Sequence, residues 1–176
     1  MPDYDRRKIR DLIEVGLDKT RVAKERGDAL EELFCYLLCE LPGIAVRRNI
    51  RDPMRSKEID IAVANAHEAR WLNLYPPAFL VECKNWDQPV GASVVGDFIN
   101  KLEESFVAAG ILVVANGITG NLAYRTSAYQ RIAMAQQKGR RVIVITMEQI
   151  KEIQTTEDFA ALLRDEFLRV VGAVGF

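Results

Sequence analysis

Two unbroken apolar runs, GILVVA from Gly110 and RVIVIT from Arg141, set the strongest limit on what this chain can fold into. Runs of this kind belong to strands covered on both faces, because a strand with one wet face alternates apolar and polar residues instead. The segment between them, Asn121 to Lys138, reads as a helix. Upstream, IAVRRN, EIDIAVANA and AFLVECKNW read as three short strands, the last two joined by a loop ending in Pro76-Pro77. A helix from about Val94 to Ala109 follows them. The first half opens with a charged, helix-favouring stretch over residues 6 to 25, its apolar side set by Ile9, Leu12, Ile13 and Val15. ALEELFCYLLCEL then carries Leu30, Leu33, Phe34, Leu37, Leu38 and Leu41 at helical spacing and stops at Pro42-Gly43. A last amphipathic helix, EDFAALLRDEFLRVV, sets Phe159, Leu162, Leu163 and Phe167 on one side. The order is α, three β, α, β, α, β, α. No repeat or linker divides the chain, so residues 1–176 read as a single domain: a helical lead-in (1–26), a core (27–150) and a C-terminal helix (151–176).

At 176 residues the chain can bury a core without disulfides or a structural metal. Acids and bases nearly cancel, 25 against 24, so a nucleic-acid partner must be met by a local patch rather than by bulk charge. The three cysteines cannot all pair and show no CxxC spacing, which makes a reducing cytoplasm the simplest home. Cys35 and Cys39, one helical turn apart, read as small buried packing residues. No segment approaches the roughly 20 apolar residues of a membrane span, so a soluble protein with no membrane partner is expected.

The chemistry lies inside two of the strands. In FLVECKNW, Phe79, Val81 and Cys83 point one way and Leu80, Glu82 and Lys84 the other. EIDIAV repeats the oddity, with Ile59, Ile61 and Val63 on one face and Glu58 and Asp60 on the other. Glu82 and Lys84 are either an ion pair on a solvated face or part of a site. If the strands pair, Asp60, Glu82 and Lys84 converge, and two acids so close are costly unless a cation lies between them. Hard oxygen ligands of this type suit Mg²⁺ or Mn²⁺. A third acid comes from the apolar helix, where Glu31 sits at the margin of the stripe and Glu32 competes for the role.

Glu31 with Gly27 before it, then Asp60, then Glu82-Cys83-Lys84, resemble the helix acid and D…ExK motif of the PD-(D/E)xK nucleases. ECKNW, PVG, a helix with Val95, Phe98 and Lys101, then GILVVANGITGN, a helix and VIVIT are similar to the Mrr-like restriction endonuclease branch. The likeness runs from about Gly27 to Ile150. It implies an α/β, restriction-endonuclease-like αβββαβ core, its mixed central sheet flanked by helices, with extra N- and C-terminal helices. The function it implies is a metal-dependent endonuclease hydrolysing DNA phosphodiester bonds in restriction, defence or phage-related DNA processing, using Mg²⁺ with Mn²⁺ as substitute. Asp60 and Glu82 would ligate the metal with side-chain oxygens and Cys83 with its backbone carbonyl. Lys84 would orient or deprotonate the attacking water and steady the phosphate, and Glu31 would hold a metal-bound water or a second metal. Relatives often carry a polar residue after the lysine, a place that Gln88, Ser93 or neither fills. Archaeal Holliday-junction resolvases share the motif order, so a structure-selective resolvase is an alternative, as is a non-catalytic nucleic-acid-binding module retaining the fold.

The DNA-contact candidate is RRNIRDPMRSK, with Arg47, Arg48, Arg51, Arg55 and Lys57 against Asp52 alone. It runs directly into the Asp60 strand, where basic side chains would position a duplex through its phosphates, with RNA left open. Cutting both strands is simplest for a homodimer. The Phe159, Leu163, Phe167 stripe is either its contact or buried against the chain's own sheet. Trp86 reads as packing at a strand end or stacking on nucleic acid, His67 as incidental, and Thr119-Gly120-Asn121 as a turn that caps the next helix. Replacing Asp60 or Glu82 is expected to leave folding almost unaffected.

Overall fold

The computed structural model describes residues 3–51, 58–121 and 126–172. Its helices are α1 (Arg6–Leu17), α2 (Ala23–Cys39), α3 (Ala92–Glu104), α4 (Ala128–Gln137), α5 (Met147–Lys151) and α6 (Thr156–Gly172). Its strands are β1 (Ile44–Arg51), β2 (Glu58–Asn65), β3 (Ala78–Lys84), β4 (Ala109–Val114) and β5 (Arg141–Thr146), ordered β1-β2-β3-β4-β5 in one sheet. The first three strands pair antiparallel and the last three parallel, so β3 is the hinge between two kinds of ladder. This is the mixed α/β architecture expected from the sequence.

The helical lead-in is two segments rather than one. Asp18 accepts hydrogen bonds from the backbone N–H and hydroxyl of Thr20 at 2.9 and 2.6 Å, a local turn that competes with the helix ladder. The first helix therefore ends at Leu17, and the second begins at Ala23, ahead of its apolar run.

Two cores sandwich the sheet. On one face α2 and α6 bury Leu33, Phe34, Phe159 and Leu163 against Val81, Ile111 and Ile143. On the other, α3 and α4 bury Val95, Phe98 and Ile132 against Leu80, Leu112 and Val142. Both faces of β4 and β5 are thus covered, as their unbroken apolar runs require. Gly110 sets the depth of α3: a β-carbon there would lie 2.5 Å from the Phe98 ring and 2.8 Å from Leu102. Only glycine lets the helix sit this low on the sheet.

Phe159, Leu163 and Phe167 of α6 are all buried within the chain, and Tyr75 donates its hydroxyl to the Leu163 carbonyl at 2.9 Å. The stripe packs on its own sheet and leaves no contact for a partner. The helix expected from Asn121 starts at Ala128 instead, with Ser127 in the N-cap position, so Asn121 is not its cap. Cys35 is buried, but Cys39 faces solvent. Among the described residues no helix is long and apolar enough to cross a membrane.

Candidate active site

The site begins where a ladder stops. β2 and β3 pair from Ala64↔Ala78 to Ile61↔Val81, and the pairing ends one step before Asp60. In the β1/β2 ladder Arg48↔Ile61 and Ile50↔Ile59 pair while Asn49 and Asp60 between them do not. Asn49 is in the left-handed region at φ 51°, which asparagine tolerates better than most residues. Past the end of the β2/β3 ladder the two-residue period no longer holds. Ile61 and Val63 pack into the α2 core, but Ile59 packs against the α3 core, so the three do not share one face.

Asp60 fills the gap. Its Oδ2 accepts the Cys83 N–H at 2.7 Å, taking the bond a ladder carbonyl would otherwise make. Lys84 gives its carbonyl to the Ala115 N–H at 3.1 Å, on the β4 side. Peptide groups alternate sides along a strand, so the Cys83 carbonyl turns the other way, into the gap beside Asp60. Burial and the charge of Glu82 raise the Asp60 carboxyl to about 6, against the lowering influence of the Cys83 hydrogen bond.

Glu82 is 4% exposed, and two ammonium groups hold it. Lys84 donates to Oε1 at 2.6 Å, and Lys101 of α3 donates to Oε1 at 2.9 Å and to Oε2 at 2.7 Å. Lys101 also donates to the Glu58 carbonyl at 2.7 Å. The Leu80, Glu82, Lys84 face is therefore no solvated strand surface: α3 closes over it and leaves a cleft of about 500 Å³. Glu58, Asp60, Glu82 and Lys84 line it from the strands, and Asp97, Asn100, Lys101 and Glu104 from the helix. Burial would depress the Lys84 ammonium, but the charge and hydrogen bond of Glu82 outweigh it and hold the group above the usual lysine range.

Glu31 reaches toward the sheet from the opposite side. It pairs with Arg48 of β1 at 3.1 Å, and Arg48 also donates to the Asp28 carbonyl at 3.3 Å. Burial raises the Glu31 carboxyl, partly countered by Arg48. Glu31 does not line the cleft, while Glu32 is exposed, so the inward-turned acid of the pair is Glu31. Of the basic segment, Arg47 is exposed on the edge strand, Arg48 is held by Glu31, and Arg51 pairs with Glu58 at 3.3 Å. Arg55 and Lys57 lie outside the described residues. Gln88 and Ser93 are both exposed and neither lines the cleft. Trp86 is 47% exposed.

The residue that sequence reasoning gave no role is Lys101. The available signal was the polar edge Asp97, Lys101, Glu104 at helical spacing beside Phe98 and Leu102. Among the described residues no three His, Cys, Asp or Glu side chains converge on one point, so any cation here would take part of its shell from backbone and water.

A family model described as Mrr_cat, restriction endonuclease, matches residues 22–153. The chain belongs to the Mrr_cat restriction endonuclease family. The Mrr_cat match encloses Glu31, Asp60, Glu82, Lys84 and Lys101 and leaves α1 and α6 outside. Among solved structures the chain is similar to "DNA modification-dependent restriction endonuclease AspBHI", at 21% identity and a TM-score of 0.46 over 95% of this chain. The match covers 40% of that chain, so this Mrr_cat domain spans well under half its length. No curated protein matches significantly.

Proposed function

We propose that this Mrr_cat domain hydrolyses DNA phosphodiester bonds with the help of a divalent cation, at the gap where β2 parts from β3. The observation that carries this reading is that the Asp60 and Glu82 carboxylates line one cleft at the end of the ladder, with Asp60 bonded to the Cys83 N–H; the Cys83 carbonyl, on the same edge of its strand, would be a third oxygen donor. All three are hard donors, and a half-buried Asp60 raised first by its burial and then by the charge of Glu82 is a setting that a cation relieves. Asp60, Glu82 and the Cys83 carbonyl would hold Mg²⁺, with Mn²⁺ as substitute. When bound, the ion supplies Lewis acidity and charge neutralisation for attack on the phosphorus.

The chain's own residues do the rest. The Cys83 N–H fixes the Asp60 carboxylate against the strand, so that this acid presents its other oxygen to the cleft. Glu82 is fixed by its lysines and, being nearly buried, keeps bulk water away from its inner side. Lys84 stands at the strand end, where it orients or deprotonates the attacking water and steadies the phosphate. Glu31, behind the sheet and tied to Arg48, would hold a metal-bound water or a second cation from the α2 side. Arg47 and the basic residues that follow it, Arg48, Arg51, Arg55 and Lys57, position the duplex by its phosphates. A homodimer would bring two such centres to the two strands.

The test is incubation of purified protein with plain, methylated and branched DNA and with RNA, with and without Mg²⁺ or Mn²⁺, beside Asp60→Ala and Glu82→Ala. Cleavage of DNA that needs the cation and both acids is expected. Cutting that survives chelation, or proceeds at the parental rate in either variant, refutes the reading, and preferential cutting of RNA or of branched DNA would redefine the substrate. Light scattering checks the dimer.

A further inference from the structure

Lys101 is bound as a metal ion would be. An ammonium group has three donors, and here they meet Glu82 Oε1 at 2.9 Å, Glu82 Oε2 at 2.7 Å and the Glu58 carbonyl at 2.7 Å. That is an all-oxygen cradle of two carboxylate oxygens and one carbonyl, and the Lys101 side chain is only 19% exposed within it. The depth at which α3 sits, fixed by Gly110, brings the ammonium to that point.

Charge balance gives this position a meaning. Asp60 and Glu82 carry two negative charges and Lys84 and Lys101 two positive ones, so these four groups balance one another, while Glu58, paired with Arg51, and Asp97 and Glu104 line the same cleft. A divalent ion added to those four groups leaves them with two positive charges in excess. Release of Lys101 halves that excess and frees Oε2 of Glu82, leaving Oε1 with Lys84 alone. The side chain has somewhere to go: Asp97 lies four residues back on α3, lines the same cleft, and can receive the ammonium as an i,i+4 partner. Lys84, two residues from Glu82 on the same strand and bound to Oε1 alone, does not block the carboxylate in this way.

We propose that Lys101 is a tethered cation that occupies Glu82 in the metal-free protein and competes with the divalent ion for it, so that metal binding requires Lys101 to let go. Lys101 is on this view a positioning residue that keeps the buried acid ordered while no ion is bound and sets the ion concentration at which the centre loads. The inference rests on the metal reading above, and its test separates the two.

Mn²⁺ is titrated calorimetrically into wild-type protein, Lys101→Met, Lys101→Gln and Lys101→Arg, and the Mn²⁺-induced rise in Tm is measured for each. The neutral variants should melt lower than wild type in chelator, bind Mn²⁺ about tenfold more tightly, and gain more Tm from it. Lys101→Arg, which keeps the charge, should stay near wild type. Lys101→Gln retains a donor for the Glu58 carbonyl, so it serves if the methionine variant folds poorly. In the wild-type protein itself, the Lys101 ammonium resonance, protected by three hydrogen bonds, should be lost on saturation with Mg²⁺. Unchanged or weaker Mn²⁺ affinity in the neutral variants, or an ammonium signal that persists at saturating Mg²⁺, overturns the competition while leaving the metal centre intact. A wild-type protein that binds no Mn²⁺ overturns the metal reading and this inference with it.

Discussion

The two faces of the sheet treat a buried acid differently. On the α2 face Glu31 has one cation, Arg48, in a closed one-to-one pair. On the α3 face the charges are shared unequally: among the described residues Glu82 has two ammonium groups, and Asp60 has a backbone N–H. A closed pair holds structure together, whereas an uneven set has an ordering that a new cation can rearrange. The α2 face therefore should fail as structure and the α3 face as chemistry.

Glu82→Ala should have the largest effect. Cleavage should fall at least about 10³-fold, since a proposed metal ligand is gone. The sequence alone suggested that folding would hardly notice, but Glu82 lies between Lys84 and Lys101, and its removal leaves two ammonium groups facing each other. A loss of about 2 kcal/mol in chemical denaturation is expected. A variant as stable as the parent would show that the lysines find other partners at once. Arg48→Met comes next, costing about 1–2 kcal/mol because Glu31 is left half-buried and unpaired. Its affinity for the ion at Asp60 and Glu82 should not change, since Glu31 acts from behind the sheet; tighter binding of that ion would place Glu31 in its shell and dissolve the contrast between the faces.

Asp60→Asn should abolish cleavage yet stabilise the metal-free fold at neutral pH, because asparagine can still accept the Cys83 N–H without the charge. The sign follows from a folded-state value of about 6, above that of an unfolded aspartate. Such a group favours the fold below the unfolded value, and that contribution is lost as pH rises through about 6. Melts in chelator should show wild type losing stability relative to Asp60→Asn between pH 4 and pH 7, by about 1–2 kcal/mol after allowance for partial exposure. Parallel curves would remove the asymmetry assigned to this face. The smallest effect is a control at the far end of α3. Phe106 is 89% exposed with φ 55°, in the helix-stop position where glycine is favoured, and its N–H bonds the Glu103 carbonyl. Phe106→Gly should raise stability by up to about 1 kcal/mol and leave Mn²⁺ affinity alone.

Much of this could be read from residues in order. The apolar runs around Ile111 and Ile143 announce strands covered on both faces, and acids between Ile61, Val81 and their neighbours announce something other than a wet surface. Two readings failed for physical reasons. Ile59 parts from Ile61 and Val63 where the β2/β3 ladder has ended, and no alternation within β2 reports where a neighbouring strand stops pairing. Lys101 meets Glu82 because α3 settles onto a glycine, and a depth of packing has no signature in spacing. By contrast the split between α1 and α2 was legible in principle, since Asp18 and Thr20 are a turn-forming pair inside a run otherwise suited to helix.

The end of the β2/β3 ladder also makes the Cys83 amide unusual in time. Its neighbours on β3 are guarded by strand pairing and should exchange their protons for deuterium only when the sheet opens. Cys83 is guarded by one carboxylate alone. Its exchange rate should therefore follow the small movements of Asp60 rather than the unfolding of the sheet, and should differ between metal-free and metal-loaded protein while the amide of Val81 stays unchanged. One backbone proton would act as a clock for the centre, readable without substrate and without turnover.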